Sequence, residues 1–221
     1  MEFSFIPPEL LVLILKNFNL QTLVRMEMIN KQVRQLVRIG SWMQVKLDMS
    51  DTDRIAYIMR NYRFGSWTLR HQDLKNDCFS GLKKCLEIAL LDCIVPKDGL
   101  KKLKKCQKVY LADSKLDDMD DLRYLQNCHT IMLHYREIND THMRYFKNCY
   151  QVNLSFCQNI TDDGIRDLNC RILYLYFTHK ITIEGLMQLT NCHTLHLYQC
   201  DGITKGGIEN LRKKGINVKI Y

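Results

Sequence analysis

Apolar positions repeat along most of this chain at a fixed interval. Cys85, Cys106, Cys128, Cys149, Cys170 and Cys192 are separated by 21, 22, 21, 21 and 22 residues. Three residues after each stands an aliphatic, in turn Ile88, Val109, Ile131, Val152, Leu173 and Leu195. Two further on stands a leucine, in turn Leu90, Leu111, Leu133, Leu154, Leu175 and Leu197. Alternation of this kind predicts a short strand with one buried face. Three residues beyond comes a small polar or thiol residue (Cys93, Ser114, Cys157, Thr178, Cys200), a column that Arg136 breaks. It falls where the chain leaves the strand, where a side chain can bond to turn backbone. An aliphatic follows: Val95, Leu116, Ile138, Ile160, Ile181 or Ile203. Pairs spaced i, i+3, such as Ile165/Leu168, Leu186/Leu189 and Ile208/Leu211, then fit one face of a short helix. One such unit cannot bury its own core, but stacked neighbours can.

The columns are similar to the leucine-rich-repeat pattern, with cysteine in the first position. Trp67-Thr68-Leu69 with Leu74, Phe79 and Leu82 forms a degenerate opening copy, and Val218 with Ile220 supplies a last strand without its helix. The expected fold class is α/β: a leucine-rich-repeat solenoid arc over residues 63–221, of about seven repeats plus a terminal strand, with parallel strands concave and short helices convex. LSFCQNITDDGI (154–165) and LYQCDGITKGGI (197–208) resemble the cysteine-containing repeats of F-box proteins. That class runs a few residues longer per repeat, so the convex segments here should be short.

Residues 6–42 are strongly apolar, with an unbroken run from Leu10 to Leu15 after Pro7 and Pro8, which suit a first helical turn. A helix apolar all round is covered on more than one side. This stretch resembles the F-box: Ile6-Pro7-x-Glu9-Leu10-Leu11, then Ile14-Leu15, Leu20 and Leu23, Ile29-Asn30-Lys31, Val33-Arg34, Leu36 and Trp42. It departs at Ile6, where leucine is usual, and at Val33, where a bulkier aromatic is usual. The resemblance implies a small three-helix bundle over 1–46, and adaptor contacts through Pro7, Leu10, Ile14, Leu15, Leu23, Ile29 and Val33. Some of these must instead form the bundle's own core. Ser50-Asp51-Thr52-Asp53 followed by apolar residues reads as a capped helix. It bridges bundle and repeats over 47–62, with no Gly/Ser-rich linker between them.

Residues alternating with the buried leucines should face outward from the sheet. Among them, and just beyond each strand, aromatics crowd the C-terminal half: Tyr135, Phe156, Tyr174, Tyr176, Phe177 and Tyr198. Aromatics are favoured anchors of protein interfaces, and this cluster is the expected substrate-binding surface. The run Lys101-Lys102-x-Lys104-Lys105 should form a solvated helical face, with Leu100 and Leu103 turned inward.

The net charge of +8 admits acidic partners or RNA, but Asp92 and Asp113 accompany the aromatic columns, which disfavours tracking a phosphate backbone. Cysteine in register with leucine reads as core rather than metal site. His193 and His196, three apart at a strand, point to opposite faces. With no catalytic metal motif, phosphate loop or nucleophile elbow, no enzyme activity and no cofactor are expected. No apolar run reaches membrane-spanning length, and the N-terminus carries no signal pattern. The resemblance implies a non-catalytic substrate-recognition subunit of an SCF-type cullin ubiquitin ligase. Its partners would be a Skp-type adaptor, the cullin and an unidentified target; no membrane partner is expected, and the charge pattern disfavours nucleic acid. It would act in the cytoplasm and nucleus, of a host cell should the source be viral. The alternative is a leucine-rich-repeat scaffold or inhibitor with no ubiquitin role.

Overall fold

The computed structural model describes residues 22, 25, 33–36, 45–47, 65–75 and 78–221. Its strands are β1 (Val45–Leu47), β2 (Ser66–Arg70), β3 (Glu87–Leu91), β4 (Ile94–Val95), β5 (Lys108–Ala112), β6 (Lys115–Leu116), β7 (Thr130–His134), β8 (Gln151–Ser155), β9 (Ile172–Tyr176), β10 (Thr194–Tyr198) and β11 (Asn217–Ile220). Nine of them form one sheet in the order β1-β2-β3-β5-β7-β8-β9-β10-β11, and β4 pairs with β6 in a small second one. Every pairing is parallel.

The register is the sequence repeat made physical. Trp67, Ile88, Val109, Ile131, Val152, Leu173, Leu195 and Val218 are successive Cα partners, and so are Leu69, Leu90, Leu111, Leu133, Leu154, Leu175, Leu197 and Ile220. Both rows are buried except for Ile220, which is 56% exposed. Burying one such side chain stabilises the stack by roughly 1.5–3 kcal/mol relative to leaving it in water.

Behind the sheet, each return segment is short. Four are 3-10 helices (Cys78–Lys84, Gly99–Leu103, Met119–Leu125, Arg144–Phe146). The others are α1 (Asp140–Met143), α2 (Asp162–Ile165), α3 (Ile183–Gln188) and α4 (Lys205–Lys213). Asn139, Thr161 and Thr204 cap α1, α2 and α4 by accepting from the backbone N–H of Thr141, Asp163 and Gly207. Leu100 and Leu103 are buried, while Lys101, Lys102, Lys104 and Lys105 are exposed, as their helical spacing predicted.

The small column works as the spacing suggested. The Cys93 thiol donates to the carbonyls of Leu69 and Leu91, and Ser114 Oγ donates to those of Leu90 and Ala112. Cys157 and Cys200 repeat the arrangement in their own turns. No disulfide joins any of the ten cysteines. Burial pushes four of these thiols up, Cys149 and Cys170 to about 12 and Cys157 and Cys192 to about 11. These four stay protonated at neutral pH, which suits packing rather than nucleophilic work.

Two features of the fold were not read from sequence. β1 adds a strand beside β2, so the expected boundary between residues 46 and 47 falls inside it. Val33, in helical residues 33–36, is fully buried in the core, with Leu36 packed against it. The rest of the expected bundle (1–46) and bridging helix (47–62) lies outside the described residues apart from Thr22, Arg25 and β1. Pro7, Leu10, Ile14, Leu15, Leu23 and Ile29 lie outside them too. Among the described residues no helix is long and apolar enough to cross a membrane.

Candidate protein-recognition surface

The residue directly after each strand decides what the edge of the sheet presents. His71, Asp92, Asp113, Phe156, Phe177 and Gln199 all have φ between 48° and 57°. Each turn needs a left-handed residue there, and glycine, asparagine or aspartate supplies it at least cost. Asp92 and Asp113 answer that need. Phe156 and Phe177 do not: a bulky residue in this region is strained, and such strain concentrates at functional sites.

What the two phenylalanines gain is position. Their rings stack at 4.2 Å between centroids, and Phe156 also stacks on His134 at 4.6 Å. Phe177 meets Tyr198 edge-on at 5.2 Å. On the strands, Tyr174 stacks on His196 at 4.0 Å, and His196 lies parallel to Tyr221 at 5.7 Å, its Nδ1 hydrogen-bonded to the Tyr221 hydroxyl at 2.8 Å. Tyr176 stands perpendicular to Tyr174, Tyr198 and Tyr221 at 6.1, 6.2 and 6.5 Å. The eight rings form one connected patch across β7–β11. Edge-on and offset contacts between rings add about 0.5–1.5 kcal/mol each beyond burial, so the rings support one another.

Five of the six aromatics expected from the sequence are in this patch: Phe156, Tyr174, Tyr176, Phe177 and Tyr198. Tyr135 is not. It is 6% exposed, and its hydroxyl accepts the backbone N–H of Leu116 at 3.1 Å. The β7 turn omits the left-handed residue, so the Tyr135 ring turns inward and fills the column that Arg136 seemed to break. His134, His196 and Tyr221 are members that the sequence reading left out of the site. Period-two alternation already placed His134 and His196 on the outer face, so that signal was present.

His196 is pushed below the ordinary histidine range by burial, and by the Lys219 charge on the next strand. It is therefore a neutral ring at physiological pH and behaves as a stacking partner. Its neighbour in sequence, His193, directly precedes β10 and contacts Arg171. No group of three or more His, Cys, Asp or Glu side chains that could hold a metal occurs among the described residues.

At the start of the patch, the irregular β7 turn leaves a shallow cavity of about 300 Å³. It is lined by Asp113, Ser114, Lys115, Tyr135, Arg136 and Glu137. Toward the N-terminus, the same sheet face presents Ala89, Leu91, Tyr110 and Ala112 on β3 and β5, with paired polar side chains at the strand ends. Lys108 pairs with Glu87 at 2.6 Å and His71 with Asp92 at 2.7 Å.

No protein-family model matches the sequence, and no curated protein does. Solved structures do. A chain from the Toll–Spätzle complex of Drosophila matches with a TM-score of 0.57 at 11% identity, over 82% of this chain and 31% of that one. An internalin from Listeria monocytogenes matches with a TM-score of 0.53 at 17% identity, over 81% of this chain and 54% of that one. The chain thus spans only a third to a half of these neighbours. At such identities the likeness is one of fold, and it agrees with the period, the parallel sheet and the short return helices: the chain has the leucine-rich-repeat fold.

Proposed function

We propose that this chain is a protein-recognition subunit that grips its target on the aromatic patch of β7–β11. The observation that carries this reading is the pair Phe156 and Phe177, stacked aromatics held at left-handed backbone positions that penalise a bulky side chain. A fold that accepts strain to keep two rings in a continuous eight-ring surface is using that surface. Tyrosine and phenylalanine supply large rigid contact area at low entropic cost, which is what a protein interface rewards.

On this reading the N-terminal segment supplies the second contact. Its resemblance to the F-box, directly before repeats, supports the role of substrate-recognition subunit of an SCF-type cullin ubiquitin ligase. The chain would contribute no nucleophile. It would raise the effective concentration of a target lysine near the ubiquitin thioester. The test is calorimetric titration of the full chain with a purified Skp-type adaptor, beside a Pro7→Ala/Leu10→Asp/Ile14→Asp variant. Wild type should bind and the variant should not, with both equally folded by circular dichroism. A wild type that fails to bind would leave a leucine-rich scaffold with no ubiquitin role.

A further inference from the structure

The two ends of the strands differ in charge. Carboxylates gather where the chain leaves the sheet: Asp92, Asp113, Glu137 and Asp201 follow β3, β5, β7 and β10. There His71, His134 and His179 face Asp92, Asp113 and Asp201 at 2.7, 4.0 and 2.9 Å. Where the chain enters the sheet, the balance reverses. Over the two residues before each cysteine of the Cys85–Cys192 column, the one after it and the first of the strand, the only carboxylate is Glu87. Lys108 already holds it at 2.6 Å. One position further back adds Asp167 alone. The same entry positions carry Lys83, Lys84, Lys104, Lys105, Lys147 and Arg171. Of these, Lys104, Lys105, Lys147 and Arg171 are exposed and form no ion pair with a described residue.

The entry edge is also a ladder. The residues just before the strands are tied to one another by backbone hydrogen bonds. Gln107 donates to the Leu86 carbonyl, His129 to Gln107, Arg171 to Tyr150 and His193 to Arg171, at 2.7–2.9 Å. Their side chains are therefore set about one strand spacing apart, about 4.8 Å, in a row that reads His129, Tyr150, Arg171, His193. The His129 ring stacks on Tyr150 at 4.7 Å, and Arg171 Nη1 meets His193 Nδ1 at 3.1 Å. All four are exposed, Tyr150 by 45%. Beside them runs a row of exposed amides, Asn127, Asn148, Asn169 and Asn191, in which Asn191 donates to Asn169.

From this line of cations with planar groups and amides among them, we infer that the entry edge binds single-stranded nucleic acid. Phosphates follow Lys104, Lys105, Lys147 and Arg171, and bases stack on His129 and Tyr150. This surface is separate from the aromatic patch and does not rest on its reading. The carboxylates that disfavour a phosphate backbone on the patch side, Asp92 and Asp113, stand at the far ends of their strands. Exposed rings take unstacked bases, which a single strand offers and a duplex hides. An acidic polypeptide would answer the lysines and leave the ring row unused.

The experiment is fluorescence anisotropy of a labelled oligouridylate, titrated with the full chain over a range of salt concentrations. Wild type should bind it saturably, and more tightly than the same strand paired with oligoadenylate. The variant Lys104→Gln/Lys105→Gln/Lys147→Gln/Arg171→Gln should bind more weakly. Its slope of log affinity against log salt should be shallower by roughly 0.7 for each phosphate contact removed. His129→Ala/Tyr150→Ala should lose about tenfold in affinity and keep the wild-type slope. Tyr174→Ser/Tyr176→Ser/Phe177→Ser should bind as wild type does. Circular dichroism confirms that each variant is folded. Absence of saturable binding at low salt would overturn the inference. So would binding that ignores the ring variant, or polyglutamate competing as well as unlabelled oligouridylate, since either makes the edge a rail for any polyanion.

Discussion

Phe156 and Phe177 stack at 4.2 Å although each occupies a left-handed backbone position that penalises its side chain. Stability and recognition therefore pull in opposite directions at the same two residues. Replacing both with asparagine relieves strain of about 1 kcal/mol per site and forfeits three ring contacts worth about 0.5–1.5 kcal/mol each. The net change in unfolding free energy should stay within about 2–3 kcal/mol, while binding to the target is lost. Urea melts and a binding assay on the same preparation check this. A large loss of stability would mean that the rings are structural.

A second relationship holds the returns together. Asp140 accepts both the backbone N–H and the hydroxyl of Thr161, and Asp162 does the same for Thr182, each one repeat on. The approach is possible because Gly164 and Gly185 have no Cβ: an added methyl would collide with the carboxylates of Asp140 and Asp162. Gly164→Ala or Gly185→Ala should cost about 1–3 kcal/mol, the penalty for stranding partly buried donors. Gly206→Ala meets no atom within 4 Å in α4 and should stabilise by about 0.5–1 kcal/mol through helix propensity. Equal effects at the three sites would refute the bracket.

Tyr135 should behave as core. Tyr135→Phe keeps the ring but removes the acceptor for the Leu116 N–H, at a cost of about 1–3 kcal/mol. Recognition should be untouched, in contrast to Tyr174→Ser/Tyr176→Ser/Phe177→Ser. A binding defect in Tyr135→Phe without a stability change would return this residue to the surface.

Two histidines give the fold a pH dependence. Burial holds His142 and His196 below the usual histidine range; at His142 the Asp120 charge partly offsets burial and Arg144 adds to it, and at His196 Lys219 adds to it. His142 Nδ1, moreover, accepts the Asn139 backbone N–H and can do so only unprotonated. As pH falls below about 6.5, the unfolded chain gains protons that the native rings resist. Stability is therefore full above that pH, declines as pH drops toward the native pKa values, and levels off below them. The double variant His142→Gln/His196→Gln should flatten this slope between about pH 7 and about pH 5, with glutamine able to preserve the cap at 142. Denaturant midpoints measured across that range would show it, and an unchanged slope would assign the dependence to other groups.

The stack was legible because its signal is redundant: each buried column is written once per repeat, and Ile88, Val109 and their successors agree in register. The outward aromatics followed from the same alternation. What escaped was local or singular. Nothing in the letters of Phe156 or Phe177 announces a left-handed backbone, since phenylalanine is a poor occupant of it. Tyr135 was misplaced because the β7 turn drops one residue, which shifts inside and outside by one step. β1 spans only three residues, too few for alternation to register. The Asp162–Thr182 bracket links positions 20 residues apart, and only stacking brings them together.

The most direct measurement of the central claim is co-purification from eukaryotic cells of the tagged wild type and the Tyr174→Ser/Tyr176→Ser/Phe177→Ser variant, reading adaptor and captured proteins in the same eluates. The account predicts that both bring down the Skp-type adaptor and cullin, and that a defined set of further proteins is present with wild type and absent with the variant. Wild type without adaptor, or a folded variant that keeps its full set of captured proteins, would contradict it.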